Sequence, residues 1–230
     1  MKNLFLAITV LFSQFSFCQS LKINKKEVLR IVENYKLHVD SIQQLLLVLN
    51  DNDTSNKAML IALEKKNDKW KIKFDPMLAS IGRNGFALTG KKQEGDGKSP
   101  TGLYLLGQLF TYENTVNTSL PFIQTTEDDK WIDDSNHQDY NKYIKGNTTA
   151  SSFEHLLLSG IYYKYCTVIE YNTNPVVKGK GSAIFFHVAD ANYSPTAGCV
   201  AIKETDMDKI LKWLNPNFKR AILMGNRNNL

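Results

Sequence analysis

The chain reads as a mainly β protein, a β-rich α+β fold of mixed β-sheets with a few peripheral helices, preceded by an N-terminal helix. Three observations predict this. Apolar residues recur at spacings near three and four over residues 24–49, the mark of an amphipathic helix. Beyond residue 57 the pattern changes to short apolar runs bounded by polar turns, the mark of strands. Glycine and proline punctuate residues 82–102, a density of turns that leaves no room for helices there. A chain of 230 residues with 43% hydrophobic and 22% charged residues suits one domain with a short addition. That length buries a sizeable core without metals or disulfides as staples.

Residues 1–20 stand apart from that core. Lys2 supplies a positive start, Leu4 and the residues up to Phe12 are almost wholly apolar, and small residues follow at Ser16, Cys18 and Ser20. This predicts an exported protein whose signal peptide is cleaved near residues 18–20, destined for the periplasm or cell envelope. The apolar run is too short to span a bilayer, so no transmembrane segment is expected after signal removal. Cys18 as a lipid anchor is the lesser alternative, because the bulky Phe17 precedes it where lipoprotein signals carry a small residue.

In the helix expected over 24–49, Val28, Ile31, Val32, Tyr35, Val39, Ile42, Leu45, Leu46 and Leu49 form the apolar stripe. Asn24 can cap its start, with Glu27 three residues on. The polar stretch 50–56 reads as a linker, which makes 21–57 a helical extension and 58–225 the principal domain. Residues 59–63 and 70–74 flank a polar turn and read as a hairpin. Residues 111–150 are largely polar and read as long loops. The best strand candidates of the C-terminal half are 162–171 and 182–188, followed by a short helix at 206–214 and a last strand at 221–224.

Net charge is +5 and the lysines are scattered, a solvated surface rather than a nucleic-acid footprint, so no nucleic-acid partner is expected. His38, His137 and His155 have no metal-ligand spacing, and no metal or organic cofactor is expected. Gly97-Lys98-Ser99 imitates the tail of a phosphate-binding loop, but Lys92 occupies the position of its first glycine and Pro100 follows where a helix should run. The acidic residues between 127 and 134 lack the glycine and terminal glutamate of a calcium loop. A monomer is expected.

Chemistry concentrates between residues 181 and 201. Gly181-Ser182-Ala183-Ile184-Phe185-Phe186-His187-Val188 is a strand ending in histidine, and Cys199 follows Gly198 after a loop containing Asn192 and Pro195. A strand, a reversing loop and a return can bring His187 to Cys199, and an imidazole beside a thiol promotes the thiolate that acts as nucleophile. Gly198 permits close backbone approach or positive φ before the cysteine, and backbone N–H groups there can hold an oxyanion. Cys166, inside a β-type run, reads as a small buried hydrophobe. On the residue types alone, a histidine near a strand end and a loop cysteine are more often structural than catalytic, and both readings stay open.

The stretch His187…Ser194-Pro195-Thr196-Ala197-Gly198-Cys199-Val200-Ala201 resembles the active-site signature of L,D-transpeptidases of the YkuD-like family. Gly82-Arg83-Asn84-Gly85, Gly95-Asp96-Gly97-Lys98-Ser99-Pro100-Thr101-Gly102, Lys130-Trp131-Ile132-Asp133-Asp134 and Tyr171-Asn172-Thr173-Asn174-Pro175 resemble further segments of it, so the resemblance covers roughly 58–225. Two positions depart from it: Ala197 stands where many members have histidine, and Ala201 where many have arginine or asparagine. The loop between His187 and Cys199 is also shorter than in the best-known members.

The resemblance implies the L,D-transpeptidase catalytic fold and peptidoglycan stem peptides as substrate. Cys199 would form a thioester with His187 as base, and the acyl group would pass to an amine. Gly198, Thr196 and Ser194 are the oxyanion and positioning candidates. Tyr171, Asn172 and Ser182 are candidate cleft residues. Hydrolysis of stem peptides on the same fold and a non-catalytic wall-binding module are the alternatives.

Overall fold

A computed structural model describes residues 24–35, 40–52 and 54–230. The expected signal peptide, Cys18 and part of the expected N-terminal helix lie outside the described residues.

Helix α1 (Lys25–Asn34) begins as its residues dictate, with the Asn24 side chain accepting the Lys26 N–H at 2.9 Å. It ends far earlier than residue 49. Residues 44–49, expected to continue the helix, lie in strand β1 (Gln44–Asn50), all seven of whose residues are buried. β1 pairs in parallel with β13 (Arg220–Asn226) and antiparallel with β2 (Lys57–Lys66). Leu46 and Val48 point into the main core, whereas Leu45, Leu47 and Leu49 meet Val28, Ile31 and Val32 of α1. A strand covered on both faces is apolar throughout, and such a run cannot be told from a buried helix by spacing. The expected linker 50–56 is a tight connection from β1 to β2, held by the buried Asn50 amide donating to the Asn52 and Ser55 carbonyls at 2.6 and 3.1 Å. The extension is therefore part of the sheet.

The predicted hairpin forms from β2 and β3 (Lys69–Ile72). Asn67 and Asp68, both at positive φ, make the two-residue turn that matches strand twist. After β4 (Met77–Ser80) comes the turn-rich segment, then the long β5 (Gly102–Thr111) and β6 (Phe122–Gln124). β10 (Cys166–Ile169), β11 (Phe185–Val188) and β12 (Val200–Ile202) follow later, shorter than their apolar runs suggest. The order β1-β13-β5-β10-β11-β12-β4-β2 closes on itself through the β1–β2 pairing, with β3 and β6 attached outside, ten strands in all. Helix α2 (Glu204–Trp213) lays Met207, Ile210 and Leu211 on the main core beside Leu60, Phe186 and Val200.

Residues 111–150, expected as loops, contain two of the three strands of a small second sheet: β7 (Asp129–Ile132) between β8 (Tyr143–Lys145) and β9 (Phe153–His155). Trp131 from β7 packs edge-on against Phe185 of β11, with ring centroids 5.3 Å apart. The second core so formed contains Cys166 and Cys199.

Candidate active site

Alternation along β11 sends Phe186 and Val188 into the main core and leaves Phe185 and His187 on the opposite face. β12 runs parallel to β11 with His187 opposite Ala201, so Cys199 falls two residues back on the same face. Adjacent strands about 4.8 Å apart and a two-residue offset of about 6.6 Å put the two Cα atoms roughly 8 Å apart, a diagonal step. One cavity of about 210 Å³ is lined by both of them. Cys166 sits opposite His187 on β10, the far side of β11 from Cys199. Two strand spacings exceed the reach of a disulfide, and both cysteines are free thiols.

The loop carrying Cys199 is braced from several sides. Asp190 accepts the Asn192 and Ser194 backbone N–H groups at 3.0 and 2.9 Å and the Tyr162 hydroxyl at 3.1 Å. Thr196 bonds backbone to backbone with Ile81 and Arg83. Its hydroxyl donates to the Cys199 carbonyl at 2.7 Å and accepts the Gly198 N–H at 3.2 Å. Ser99 is fully buried; its hydroxyl donates to the Gly198 carbonyl at 2.7 Å and accepts the Gly82 N–H at 2.9 Å. Gly198 answers a close approach, since a Cβ there would lie 3.0 Å from the Lys98 carbonyl oxygen and from Ile184 Cδ1.

The sulfur of Cys199 donates to the Ala183 carbonyl at 3.3 Å and accepts the Phe185 N–H at 3.3 Å. Ala183 holds a left-handed backbone, φ 52°, uncommon without glycine. Asn141 secures it, its Oδ1 accepting both the Ala183 N–H at 3.1 Å and the Trp131 indole N–H at 2.8 Å. His187 Nδ1 lies 2.8 Å from the Val188 carbonyl. A carbonyl only accepts, so Nδ1 carries the proton and Nε2 keeps its lone pair for use as a base. The rings of Tyr163 and Tyr162 stand edge-on to the imidazole, with centroids at 5.5 and 6.4 Å.

The family model for the L,D-transpeptidase catalytic domain, YkuD, matches residues 39–222. The chain belongs to this family. Its matched range starts before β1, in agreement with the strand found there. No curated protein sequence matches the chain. Among solved structures it is similar to the helical cell shape determining protein Pgp2 from Campylobacter jejuni, at 17% identity and a TM-score of 0.40, covering 81% of this chain and 49% of that one. It is also similar to Bd1075 from Bdellovibrio bacteriovorus, at 15% identity and a TM-score of 0.40, covering 81% and 52%. The chain spans about half the length of these two proteins.

Within this YkuD domain the candidate residues fall into two groups. Cys199, His187, Thr196 and Ser194 line the larger cavity. Gly198 and Ser182 line a second, smaller one of about 80 Å³ that also opens onto Cys199. Tyr171 and Asn172 line neither. Tyr171 packs edge-on against Tyr104 at 5.3 Å, and the Asn172 amide closes its own loop by donating to the Val177 and Gly181 carbonyls at 3.0 and 2.8 Å. Both side chains serve the β10–β11 connection itself.

Electrostatics correct a further expectation. Burial pushes the Cys199 thiol up to about 12, with the Glu154 carboxylate adding to it and the Phe185 N–H and Lys92 opposing. Burial holds His187 down at about 4, against the pull of the Val188 and Tyr162 carbonyls. The resting pair is a neutral thiol and a neutral imidazole, not the thiolate that adjacency to histidine suggests. Glu154 and Tyr163 escape sequence reasoning altogether. They lie in short or irregular segments with no motif around them, yet Tyr163 donates to Glu154 and both line the larger cavity. No helix among the described residues is long and apolar enough to cross a membrane.

Proposed function

We propose that this YkuD domain is an exported peptidoglycan L,D-transpeptidase that carries its acyl group on Cys199. The observation that carries this reading is the shared cavity: a free thiol and an imidazole with its Nε2 unprotonated stand one diagonal step apart on adjacent strands. The substrate carbonyl is the one between the third residue of a stem peptide and its terminal D-amino acid. His187 Nε2 takes the thiol proton as the sulfur attacks, because neither group ionises beforehand. The same proton then passes from His187 to the departing amine. The Cys199 N–H is the donor beside the developing oxyanion, since Thr196 Oγ1 already engages the Gly198 N–H. The thioester is resolved by the side-chain amine of a second stem, which yields a cross-link. The Asp190-centred loop with Ser194 and Thr196 forms one wall of the cleft and sets how the donor stem lies.

Purified protein incubated with defined tetrapeptide muropeptides tests the reading. Cross-linked dimers and an acyl adduct on Cys199 in intact-mass spectra are expected, and Cys199→Ala should form neither. Monomers trimmed of the terminal residue, without dimers, would make the domain a hydrolase. Unchanged muropeptides without an adduct would leave it a wall-binding module.

A further inference from the structure

A buried lysine stands beside the turn that carries Cys199. Lys92 is only 4% exposed, and lysine is seldom buried so far unless paired. Its Nζ donates to the Gln93 carbonyl at 2.8 Å and to Asp96 Oδ1 at 2.7 Å. An ammonium has three donors, and among the described residues no acceptor takes the third. The stem fits between two glycines: a Cβ on Gly181 would lie 3.2 Å from Lys92 Cε, and one on Gly198 3.8 Å from the same atom. The turn that follows does not depend on the ammonium, because Asp96 already accepts the Gln93 and Lys98 N–H groups at 2.8 Å each. An apolar side chain would fill the slot without desolvating a charge. Lys92 lines the cavity of about 80 Å³ that opens onto Gly198 and Cys199. Of the other charged side chains around it, Arg83 and Glu94 are exposed and Asp133 and Glu154 half-buried, so Lys92 alone is buried. Charges in contact with water are screened, whereas a buried one acts at low dielectric.

We infer that Lys92 is the fixed positive charge of this site, a positioning residue whose ammonium stabilises, across the small cavity, the negative charge that develops at Cys199 during acyl transfer. This rests on the acyl-transfer reading above and deepens it. In acylation the Cys199 proton passes to His187, the S–C bond forms, and the carbonyl π pair moves onto oxygen. The intermediate then carries one negative charge on oxygen and one positive charge on the imidazole. As the C–N bond breaks, the oxygen pair re-forms the carbonyl and the imidazolium proton goes to the departing amine. Lys92 keeps all three of its protons throughout. Such a charge complements the backbone, because a single N–H, that of Cys199, is left beside the oxyanion once Thr196 engages the Gly198 N–H. His187 and Lys92 flank the sulfur from the larger and the smaller cavity. The sulfur's own ionisation has the matching sign: burial and the Glu154 carboxylate oppose its charged form, and Lys92 favours it.

Two substitutions of opposite sign test this. Lys92→Met keeps the unbranched stem and removes the charge, and Asp96→Asn keeps the size and removes the counter-charge. Alkylation of Cys199 is followed by mass spectrometry at about pH 8.5 with neutral iodoacetamide and with anionic iodoacetate. The ratio of the two rates reads the local potential, which a loosened loop leaves unchanged. The iodoacetate-to-iodoacetamide ratio should fall about threefold or more in Lys92→Met and rise about twofold or more in Asp96→Asn. Release of the terminal amino acid from a tetrapeptide muropeptide should fall about 10- to 100-fold in kcat in Lys92→Met, with KM within about twofold of wild type. A ratio unchanged in Lys92→Met, or one moving the same way in both variants, overturns the role of Lys92 while an acyl adduct in the wild type leaves acyl transfer standing. Should Lys92→Met not fold, a ratio that fails to rise in Asp96→Asn overturns that role by itself. A wild type that forms no adduct removes the acyl-transfer reading and this role with it.

Discussion

The Cys199 thiol donates to the carbonyl of Ala183 and not to the ring of His187, although the two catalytic candidates share one cavity. The carbonyl is held in place by the left-handed backbone of Ala183, which the Asn141 side chain secures. The sulfur is thus parked as a donor, in a buried setting that penalises its charged form. Under the proposed function, a substrate carbonyl draws it out of that bond, so proton transfer to His187 accompanies attack and does not precede it.

The resting protein should therefore react slowly with thiol reagents. The rate of iodoacetamide adduct formation on Cys199, followed by mass spectrometry across pH, should still be rising above about pH 8.5, the range of an ordinary thiol. The sign follows from burial: a raised thiol pKa means less thiolate at any given pH. A plateau reached below neutrality would show a pre-formed thiolate and overturn the parked-thiol account. Cys166, fully buried, should stay unmodified throughout.

Acylation should persist far into acid. His187 acts as base only when neutral, and its folded pKa of about 4 lies below the usual value near 6.5, so the base form is lost only as pH falls through about 4. Release of the terminal amino acid from a tetrapeptide stem should keep most of its rate at about pH 5.5, where an exposed histidine would be mainly protonated. His187→Ala should lower that rate roughly 100-fold or more. An acid limb near 6.5 would show that the ring is solvated when substrate binds.

The two candidate residues are legible because their types and their local context agree: a histidine closing an apolar strand, and a cysteine after glycine at the end of a turn-rich loop. The hairpin around Asn67 and Asp68, helix α2 and strand β13 are legible for the same reason, since short-range pattern decides them. Residues 44–50 are not, because a strand buried on both faces loses the alternation that would reveal it. The second sheet escapes because strands of three or four residues carry too little period to count. Asn141, Glu154 and Tyr163 reach the sulfur only through that sheet and the turn before β10. Their roles depend on register, which no local spacing encodes.

The Ser99 hydroxyl bonds both to Gly82, 17 residues before it, and to Gly198, 99 residues after it, and its removal strands both partners. In Ser99→Ala the buried Gly82 N–H and the Gly198 carbonyl each lose a bond, and no water-exposed route replaces it. A loss of about 1–3 kcal/mol in urea unfolding is expected, together with reduced acylation, because the Gly198 carbonyl anchors the turn that aims Cys199. Unchanged acylation alongside lost stability would show that Thr196 alone fixes the turn.

Helix α1 covers a face of the sheet that would otherwise meet water. Ile31 is fully buried against a cluster that includes Leu45, Leu47 and Leu63, the outward-facing residues of β1 and β2. Truncating it opens a cavity under a single ten-residue helix, too short to hold itself together without packing. Ile31→Ala should cost about 2–5 kcal/mol in urea unfolding. Strands β11 and β12, which position His187 and Cys199, lie across the sheet from α1, so iodoacetamide reactivity of Cys199 in the folded variant should match wild type. A stability change below about 0.5 kcal/mol would mean that α1 is an appendage and not part of the fold.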